Sequence, residues 1–206
     1  TSIVDSPVGA INGGFAVTRN GKASYSLPLN LVPGNAAPSL SLSYDQQAGS
    51  SILGMGWFIN GLSEISRCPT TLAQDGYING VNFNSSDQLC INGQRLIKIS
   101  TNEYRTENET FARVIASGTA GNRPATFTVW KADGQVETYG GTSNSRRTTQ
   151  SGGHVATWAI NKKEDREGNY ASYTYHNSTA AGEFWITQIA YNGNISASQA
   201  ANRTVT

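Results

Sequence analysis

The chain has 206 residues, of which 15 are Lys or Arg and 14 are Asp or Glu, so its net charge at neutral pH is +1. Charged residues make up 14% of the chain, against roughly 25% in ordinary soluble proteins, and there is no basic excess to displace counterions from phosphates. A protein that binds nucleic acid electrostatically is therefore excluded. The length of the chain also excludes a small scaffold that needs a metal or a disulfide framework to hold its core.

Uncharged polar and turn-forming residues dominate the remaining composition. Gly, Ser, Thr and Asn together account for 83 residues, a bias typical of secreted β-proteins. No run approaches 18 consecutive apolar residues, so no membrane-spanning helix is expected. No basic-then-apolar leader begins at Thr1, so we expect any targeting signal to have been removed or to lie outside this chain. The composition favours an exported protein.

The first third of the chain predicts short strands separated by turns. Residues 23–29 alternate after the turn dipeptide Asn20-Gly21, and residues 39–44 alternate strictly over six positions. The side chains expected to face inward from these two strands are Tyr25, Leu27, Leu29, Leu40, Leu42 and Tyr44. Residues 54–56 place two glycines around a methionine, which indicates a close approach of two backbone segments with Trp57 packed beneath as a core residue.

Three β-hairpins are predicted farther along the chain, each from a turn signal between two alternating segments. They span residues 89–99 around Asn92-Gly93, residues 126–139 around Asp133-Gly134, and residues 155–175 around the turn 165–169. Leu96, Val129, Trp130 and Trp158 are expected to point inward from these segments. At most one short helix is expected, because no longer window combines a helical stripe with capping signals. The sequence therefore predicts an all-β fold of antiparallel sheets built from serial hairpins.

The cysteines Cys68 and Cys90 flank 21 residues that are rich in turn signals. An exported chain favours a Cys68–Cys90 disulfide over two buried free thiols, and both states remain open at this point. A bridge closing a loop of this length stabilises the fold by about 3 kcal/mol in the chain-entropy model.

The sequence offers little to support catalysis or metal binding. His154 and His176 are the two histidines, and no C-x-x-C pair accompanies them, so a zinc site is not expected. Asp165, Glu167 and Asn169 have the spacing of calcium ligands, but the Gly and the acidic last residue of an EF-hand are absent, and a hairpin turn is favoured. No G-x-S-x-G elbow is present, so we predict no catalytic residue, no metal ligand and no cofactor.

Several motifs follow one another along nearly the whole chain. They are Pro38–Tyr44, Leu53–Trp57, Gly61–Ser63, Ile65–Cys68, Ala73–Gly76, Leu89–Leu96, Glu103–Glu107, Asp133-Gly134 with Tyr139-Gly140, and Asp165–Asn169 with Tyr173–Tyr175. In this order they resemble the N-terminal region of the SpvB/TcB family, which comprises bacterial virulence-plasmid and insecticidal toxin-complex B-type proteins. The last motif is similar to the core of an Rhs or YD repeat. Asn92 and Gln88 depart from the family pattern, which usually has Asp and Arg at these positions.

The resemblance implies that residues 1–206 form a single β-rich N-terminal domain of a longer exported protein. Its antiparallel sheets are then expected to be sandwich-like or part of an Rhs-type shell. In full-length family members this region precedes a β-propeller and an Rhs-type shell, which encloses a toxic cargo from a C-type partner and docks on an A-type translocation subunit. The expected partners are therefore the rest of its own chain and the A-type and C-type proteins.

Some family members also carry an ADP-ribosyltransferase. Glu107-Asn108-Glu109 matches the Glu-x-Glu of that enzyme, but no Ser-Thr-Ser precedes it, and the family's transferase lies beyond this region. The resemblance therefore implies a non-catalytic structural module of the toxin protein.

A carbohydrate-binding β-sandwich is the alternative, because four Trp, nine Tyr and abundant Asn suit recognition of a sugar ring. Such a module would show two or three coplanar exposed aromatic rings beside a polar cleft, whereas a shell domain would show an apolar face or edge. A strand is predicted to begin at residues 202–206, and its unpaired edge would cause weak self-association.

Overall fold

The structure, a computed structural model, describes residues 13–17, 23–46, 50–51, 53–151 and 153–206. The chain divides into two compact units. The first unit comprises Thr1–Leu31 and Pro38–Leu62, and the second comprises Val32–Ala37 and Ser63–Thr206. Every strand pairing described in both units is antiparallel, and the predicted all-β class is confirmed.

The first unit is built on a four-stranded sheet in the order β1-β2-β3-β6, with a separate two-stranded hairpin of β4 and β5. Its strands are β1 (Gly14–Val17), β2 (Ala23–Leu29), β3 (Leu40–Asp45), β4 (Ser50–Ser51), β5 (Gly54–Met55) and β6 (Trp57–Asn60). The predicted Asn20-Gly21 turn lies outside the described residues.

One face of this sheet carries the apolar side chains that the alternation predicts. Leu27 lies opposite Leu42, and Tyr44 lies opposite Trp57, whose ring centroid is 5.4 Å from that of Tyr44. Leu40 is buried and the other predicted inward residues are half-buried. A Cβ on Gly56 would lie 2.6 Å from the Tyr44 ring, which accounts for the glycine after Met55, although the Met55 side chain is itself exposed.

The second unit contains the remaining strands and two short helical turns. Its strands are β7 (Glu64–Cys68), β8 (Gln88–Ile91), β9 (Gln94–Lys98), β10 (Glu103–Thr106), β11 (Arg113–Ser117), β12 (Thr126–Trp130), β13 (Val136–Tyr139), β14 (Arg146–Thr148), β15 (Val155–Glu164), β16 (Asn169–Ser178), β17 (Glu183–Asn194) and β18 (Arg203–Val205). The helical turns are α1 (Leu72–Asp75) and a 3₁₀ helix (Ser143–Ser145). Among the described residues α1 is the single short α-helix, as predicted.

Strands β7 to β13 pair serially with their neighbours, and β15 pairs with both ends of this series. Pairing of β15 with β7 and with β13 closes an eight-stranded barrel. The first half of β15 also pairs with β14, and its last residues pair with β16, from which β17 and β18 continue the sheet. Strand β15 therefore belongs to the barrel and to the sheet that extends from it.

The barrel interior holds the apolar core of the second unit. Among the side chains that fill it are Ile65, Leu89, Leu96, Val114, Phe127, Val129, Tyr139 and Trp158, all of which are buried. The Phe127 and Trp158 rings meet edge-on at 5.3 Å, and Trp158 Nε1 donates to the carbonyl oxygen of Pro124 at 2.9 Å. The core therefore combines aromatic packing with a satisfied indole N–H.

The three predicted hairpins are confirmed as β8–β9, β12–β13 and β15–β16. Asn92 and Gly93 both have positive φ, 49° and 82°, as a type I′ turn requires. The expected inward position of Trp130 is wrong, because Val129 takes the inward position and side chains alternate along a strand. Trp130 instead lies on the outer barrel wall, 40% exposed, with the Arg113 guanidinium 5.9 Å from its ring centroid.

Candidate functional site

A buried arginine links the strands and loops at one end of the barrel. Arg67 points inward from β7, and the side chains of Arg67 and Asp87 are 1% and 3% exposed. Arg67 Nη1 donates to Asp87 Oδ2 at 2.8 Å and to Asn84 O at 2.6 Å. Its Nε donates to Val155 O at 2.6 Å, and Nη2 donates to Asn122 Oδ1 at 2.8 Å. One guanidinium thus joins β7 and β15 to the loops that precede β8 and β12.

Asp87 lies close to two guanidinium groups. Burial by itself raises the pKa of Asp87, but hydrogen bonds from the Asn82 N–H and from Arg67 outweigh burial, and the pKa lies below its usual range. Arg123 donates to the Asp87 carbonyl oxygen, while burial and the neighbouring Arg67 lower the pKa of the Arg123 guanidinium. Arg123 Nε has no hydrogen-bond partner among the described residues. This end of the barrel therefore holds two cations against one carboxylate.

A second buried arginine, Arg95, lies on the outer wall beneath α1. Its Nη1 and Nη2 donate to the two oxygens of Asp75 at 3.0 and 3.1 Å, a bidentate arrangement. Nη2 also donates to Gln74 Oε1 at 3.0 Å and to Pro69 O at 3.1 Å. The hydrogen bond from Arg95, followed by the one from the Thr71 N–H, holds the pKa of Asp75 below its usual range. Arg95 therefore fastens the segment that contains α1 to the barrel.

The disulfide between Cys68 and Cys90 lies beside this ion pair. Cys68 ends β7 and Cys90 lies on β8, and their Cα atoms are 5.9 Å apart. Both cysteines line an open cleft of about 620 Å³, together with Arg95 and residues from the neighbouring loops. Gln74 Nε2 donates to Glu107 Oε2 at 2.5 Å across the rim of this cleft. The cleft thus has a disulfide wall and a polar rim.

A buried acid lies toward the other end of the barrel. Glu137 is opposite Val129 in the sheet and accepts hydrogen bonds from Lys131 Nζ at 2.6 Å and from the Tyr139 hydroxyl at 2.7 Å. Ser63 Oγ lies 2.7 Å from the same hydroxyl oxygen. Burial, followed by the negative charge of Glu137, raises the pKa of Tyr139 far above its usual value. Tyr139 therefore stays protonated and serves as a hydrogen-bond donor to Glu137.

Tyr173 lies near this acid as well. Burial and then the charge of Glu137 raise the pKa of Tyr173 to about 12. A cleft of about 430 Å³ opens at this end, lined by Lys131, Gln94, Thr106 and neighbouring residues. Lys131 and Tyr139 each donate to one oxygen of Glu137, so this buried acid ties β13 to the turn that follows β12.

The residues considered from sequence for catalysis or metal binding do not come together. Asp165 accepts from the backbone N–H groups of Glu167 and Asn169 at 3.0 and 2.8 Å, so it holds the hairpin turn, as favoured from the sequence. Glu107 accepts from Gln74, and Glu109 accepts from a backbone N–H two residues away. No group of three or more His, Cys, Asp or Glu side chains that could hold a metal ion occurs in the described part of the chain.

The two histidines are in different surroundings. His154 is half-buried, and its Nδ1 has no partner among the described residues. His176 stacks on Trp185 at 4.1 Å between centroids and lies 3.3 Å from Glu183 Oε2.

Within the described ranges, no helix has the length and hydrophobicity needed to cross a bilayer.

Sequence reasoning did not identify the buried charged residues. Arg67 lies two positions after the buried Ile65, and Glu137 lies two positions before the buried Tyr139. Side chains two positions apart on a strand face the same way, so the two-residue spacing from a buried apolar residue could have predicted that Arg67 and Glu137 face inward. Arg95 had no such signal, because it faces outward and is buried only by the segment that crosses over it.

The comparisons with known proteins agree with this architecture. The family model of the Salmonella virulence plasmid 65kDa B protein, SpvB, matches residues 17–205. The chain belongs to the SpvB family. No curated protein sequence gives a significant match. The SpvB-family motifs quoted above meet in the structure, since Asp75 of one pairs with Arg95 of another, and Cys68 is joined to Cys90.

Solved structures share the fold of this SpvB-family chain. A crystal structure of TcdB2-TccC3 matches with a TM-score of 0.70 at 20% identity, covering 88% of this chain and 10% of that chain. The Tc holotoxin pore of Photorhabdus luminescens matches with the same score and identity, covering 89% and 10%. The N-terminal domain of effector protein SpvB from Salmonella typhimurium strain LT2 matches with a TM-score of 0.65 at 19% identity, covering 86% and 65%. The chain thus spans about a tenth of the Tc toxin chains and about two thirds of the SpvB domain chain.

Proposed function

We propose that this chain is a non-catalytic structural module of a secreted toxin-complex B-type protein, and that residues 1–206 act as one N-terminal domain. It contributes β-sheet to a shell that encloses or delivers a toxic cargo, and it acts through protein–protein contacts. The observation that carries the proposal is the family match over residues 17–205. The shared fold with a segment of TcdB2-TccC3 supports it.

The environment of the charged residues also supports a structural role. Arg67, Arg95 and Glu137 are buried, and each binds groups that hold strands or loops together. Catalytic groups face a substrate, whereas these groups face protein partners within hydrogen-bond distance.

The outer barrel wall offers a surface for protein contacts. Ile97 lies opposite Arg105, and Trp130 lies opposite Arg113, so these outward-facing side chains form a row across the antiparallel strands. Ile97 and Trp130 are exposed. Trp and Arg are enriched among the residues that dominate binding energy in interfaces, so we assign this row, of which Trp130 is the largest side chain, to the contact with the shell.

A binding experiment tests the proposal. The 206-residue chain is immobilised and offered the separately expressed propeller and shell region of a toxin-complex B-type protein, and then A-type and C-type proteins. We expect capture of the shell region, weakened at least about tenfold by Trp130→Ala, as for an interface residue worth more than 1.4 kcal/mol. Tyr77→Ala, which truncates another exposed aromatic residue, is the matched control and leaves capture unchanged.

A glycan array, run on the same protein, tests the carbohydrate-binding alternative. In the part of the chain that the structure describes, no aromatic ring lines either of the two clefts. Trp130 is exposed, but it stacks with Arg113 on the barrel wall and lines neither cleft. Selective glycan binding without capture of any toxin protein would overturn the structural proposal in favour of the carbohydrate-binding module.

A further inference from the structure

The geometry points to the Cys68–Cys90 disulfide as a site of thiol–disulfide exchange, at which a dithiol reductant opens the loop between the two cysteines. We name residues 69–87 the crossover loop, because they leave the end of β7 and return to the start of its neighbour β8 across the outer barrel wall. Its acidic residues Asp75 and Asp87 pair with the two buried arginines of the barrel. The disulfide therefore closes a loop on which two buried ion pairs depend.

The first observation is access to the disulfide. Cys68 is half-buried, Cys90 is buried, and both line the 620 Å³ cleft. The neighbouring rim residues Pro69, Thr71 and Gly93 are exposed, and a small dithiol fits a space of this size. Because Cys68 is the more accessible of the two, an incoming thiolate attacks the Sγ of Cys68.

The second observation concerns the leaving group. Cys90 lies directly opposite Arg95 in the β8–β9 register, and both residues face the outer side of the barrel. Arg95 is buried, and its Nε has no hydrogen-bond partner among the described residues. A guanidinium with an unused N–H stabilises an adjacent thiolate, and a stabilised thiolate leaves faster in disulfide exchange. Arg95 thus favours release of the Cys90 sulfur.

The exchange proceeds in two steps. The thiolate of the reductant forms a bond to Cys68 Sγ, the bond between the cysteine sulfurs breaks, and the Cys90 thiolate leaves beside Arg95 and then takes a proton. The second thiol of the reductant attacks the mixed disulfide and releases Cys68 as a thiol. The reductant is oxidised to its disulfide, and the protein disulfide is reduced to two thiols.

The third observation is that polar contacts, with few apolar ones, hold the crossover loop. Helix α1 has no buried residue, and Leu72, Tyr77 and Ile78 are exposed. The loop is held by the ion pairs of Asp75 and Asp87, by a backbone bridge between Thr70 and Asn79, and by hydrogen bonds from the barrel to the carbonyl oxygens of Pro69, Phe83, Asn84 and Asp87. A segment with few buried apolar contacts opens at low free energy. Reduction therefore frees the crossover loop while the barrel stays folded.

Reduction kinetics test the role of Arg95 in the 206-residue chain. The protein is treated with dithiothreitol at neutral pH, the reaction is quenched with iodoacetamide, and the number of alkylated cysteines is measured by intact-mass spectrometry. The rate of disulfide loss is then compared among variants. We expect Arg95→Gln to be reduced roughly threefold more slowly than wild type, because a thiol of higher pKa is a poorer leaving group. Arg95→Lys retains the positive charge and should recover part of the rate.

Asp75→Asn is the matched control, because it breaks the same ion pair while keeping the guanidinium. If loosening of the loop alone controls the rate, Arg95→Gln and Asp75→Asn both speed reduction, and this outcome overturns the role of Arg95. Two alkylated thiols in unreduced protein, or reduction only in denaturant, would overturn the exchange site itself.

Limited proteolysis supplies an independent readout of the loop. Chymotrypsin can cleave after Leu72, Tyr77 and Phe83, all within the crossover loop. Reduced and alkylated protein should be cut there at least tenfold faster than oxidised protein, with unchanged far-ultraviolet circular dichroism. Equal cleavage rates in the two states would show that the disulfide does not restrain the loop and would refute the inference.

Discussion

Replacing Asp87 by Asn removes the carboxylate that pairs with the buried Arg67 and changes the side-chain shape very little. The guanidinium keeps its neutral acceptors, Val155 O and Asn122 Oδ1 among them, but loses its counter-ion. Breaking a buried pair by removing one charge costs about 3–5 kcal/mol, because the remaining charge is left uncompensated. We expect about 3 kcal/mol for Asp87→Asn, since the amide oxygen still accepts from the Asn82 N–H.

Urea denaturation followed by tryptophan fluorescence measures this loss, because the buried Trp158 ring lies inside the barrel. Glu103→Gln is the matched control. Glu103 pairs with Arg105 and Arg113, whose side chains are 36% and 56% exposed, so its loss costs less than about 1 kcal/mol. The reasoning fails if Asp87→Asn destabilises the protein no more than Glu103→Gln does.

The pH dependence of stability gives a second test of the same carboxylate. The pKa of Asp87 is lower in the folded protein than its ordinary value of about 4 in an unfolded chain. A carboxyl group shifted in this direction contributes stability that is present above its unfolded pKa and is lost as the pH falls through its folded pKa. Below about pH 4 the difference between wild type and Asp87→Asn should therefore shrink. A difference that stays constant from pH 6 to pH 3 would contradict the assignment.

Two further substitutions test the barrel core by thermal and urea unfolding. Gly140→Ala adds a Cβ at φ +67° that would lie 2.5 Å from the Trp158 ring, and we expect it to lower the free energy of unfolding by about 2–4 kcal/mol. Gly93→Ala is the control, because its Cβ, at φ +82°, would lie in open space, and it should lower the free energy of unfolding by only about 1 kcal/mol. Equal losses would show that crowding at Gly140 is relieved at no cost. Tyr139→Phe removes a hydrogen bond to the buried Glu137 and should cost about 1–3 kcal/mol, and a loss below 0.5 kcal/mol would show that water replaces the hydroxyl.

Local signals predicted the hairpins and part of the barrel core, namely Leu96, Val129 and Trp158. Asn92-Gly93 identified the β8–β9 turn because few other dipeptides adopt two positive φ values. Val129 and Leu96 followed from alternation, and the same rule, applied strictly, would have placed Trp130 outside. Each of these features depends on residues within about ten positions along the chain, so it can be predicted from a single sequence.

Closure of the barrel could not be predicted in this way. Strand β7 pairs with β15 about ninety residues later, with Trp158 opposite Ile65. No turn joins these strands, so the sequence near one strand does not indicate that it pairs with the other. The burial of Arg95 escaped prediction for the same reason, since Asp75 reaches it from 20 residues away.

The position of β15 sets the order in which this protein can complete its fold. A chain that emerges N-terminus first can pair β7 through β13 by successive hairpins while residues 155–164 are still missing. During that interval both outer strands, β7 and β13, present unpaired backbone groups to any other strand nearby. Arrival of β15 satisfies both edges in one step, so the nascent chain is most vulnerable to mispairing just before residues 155–164 are synthesised.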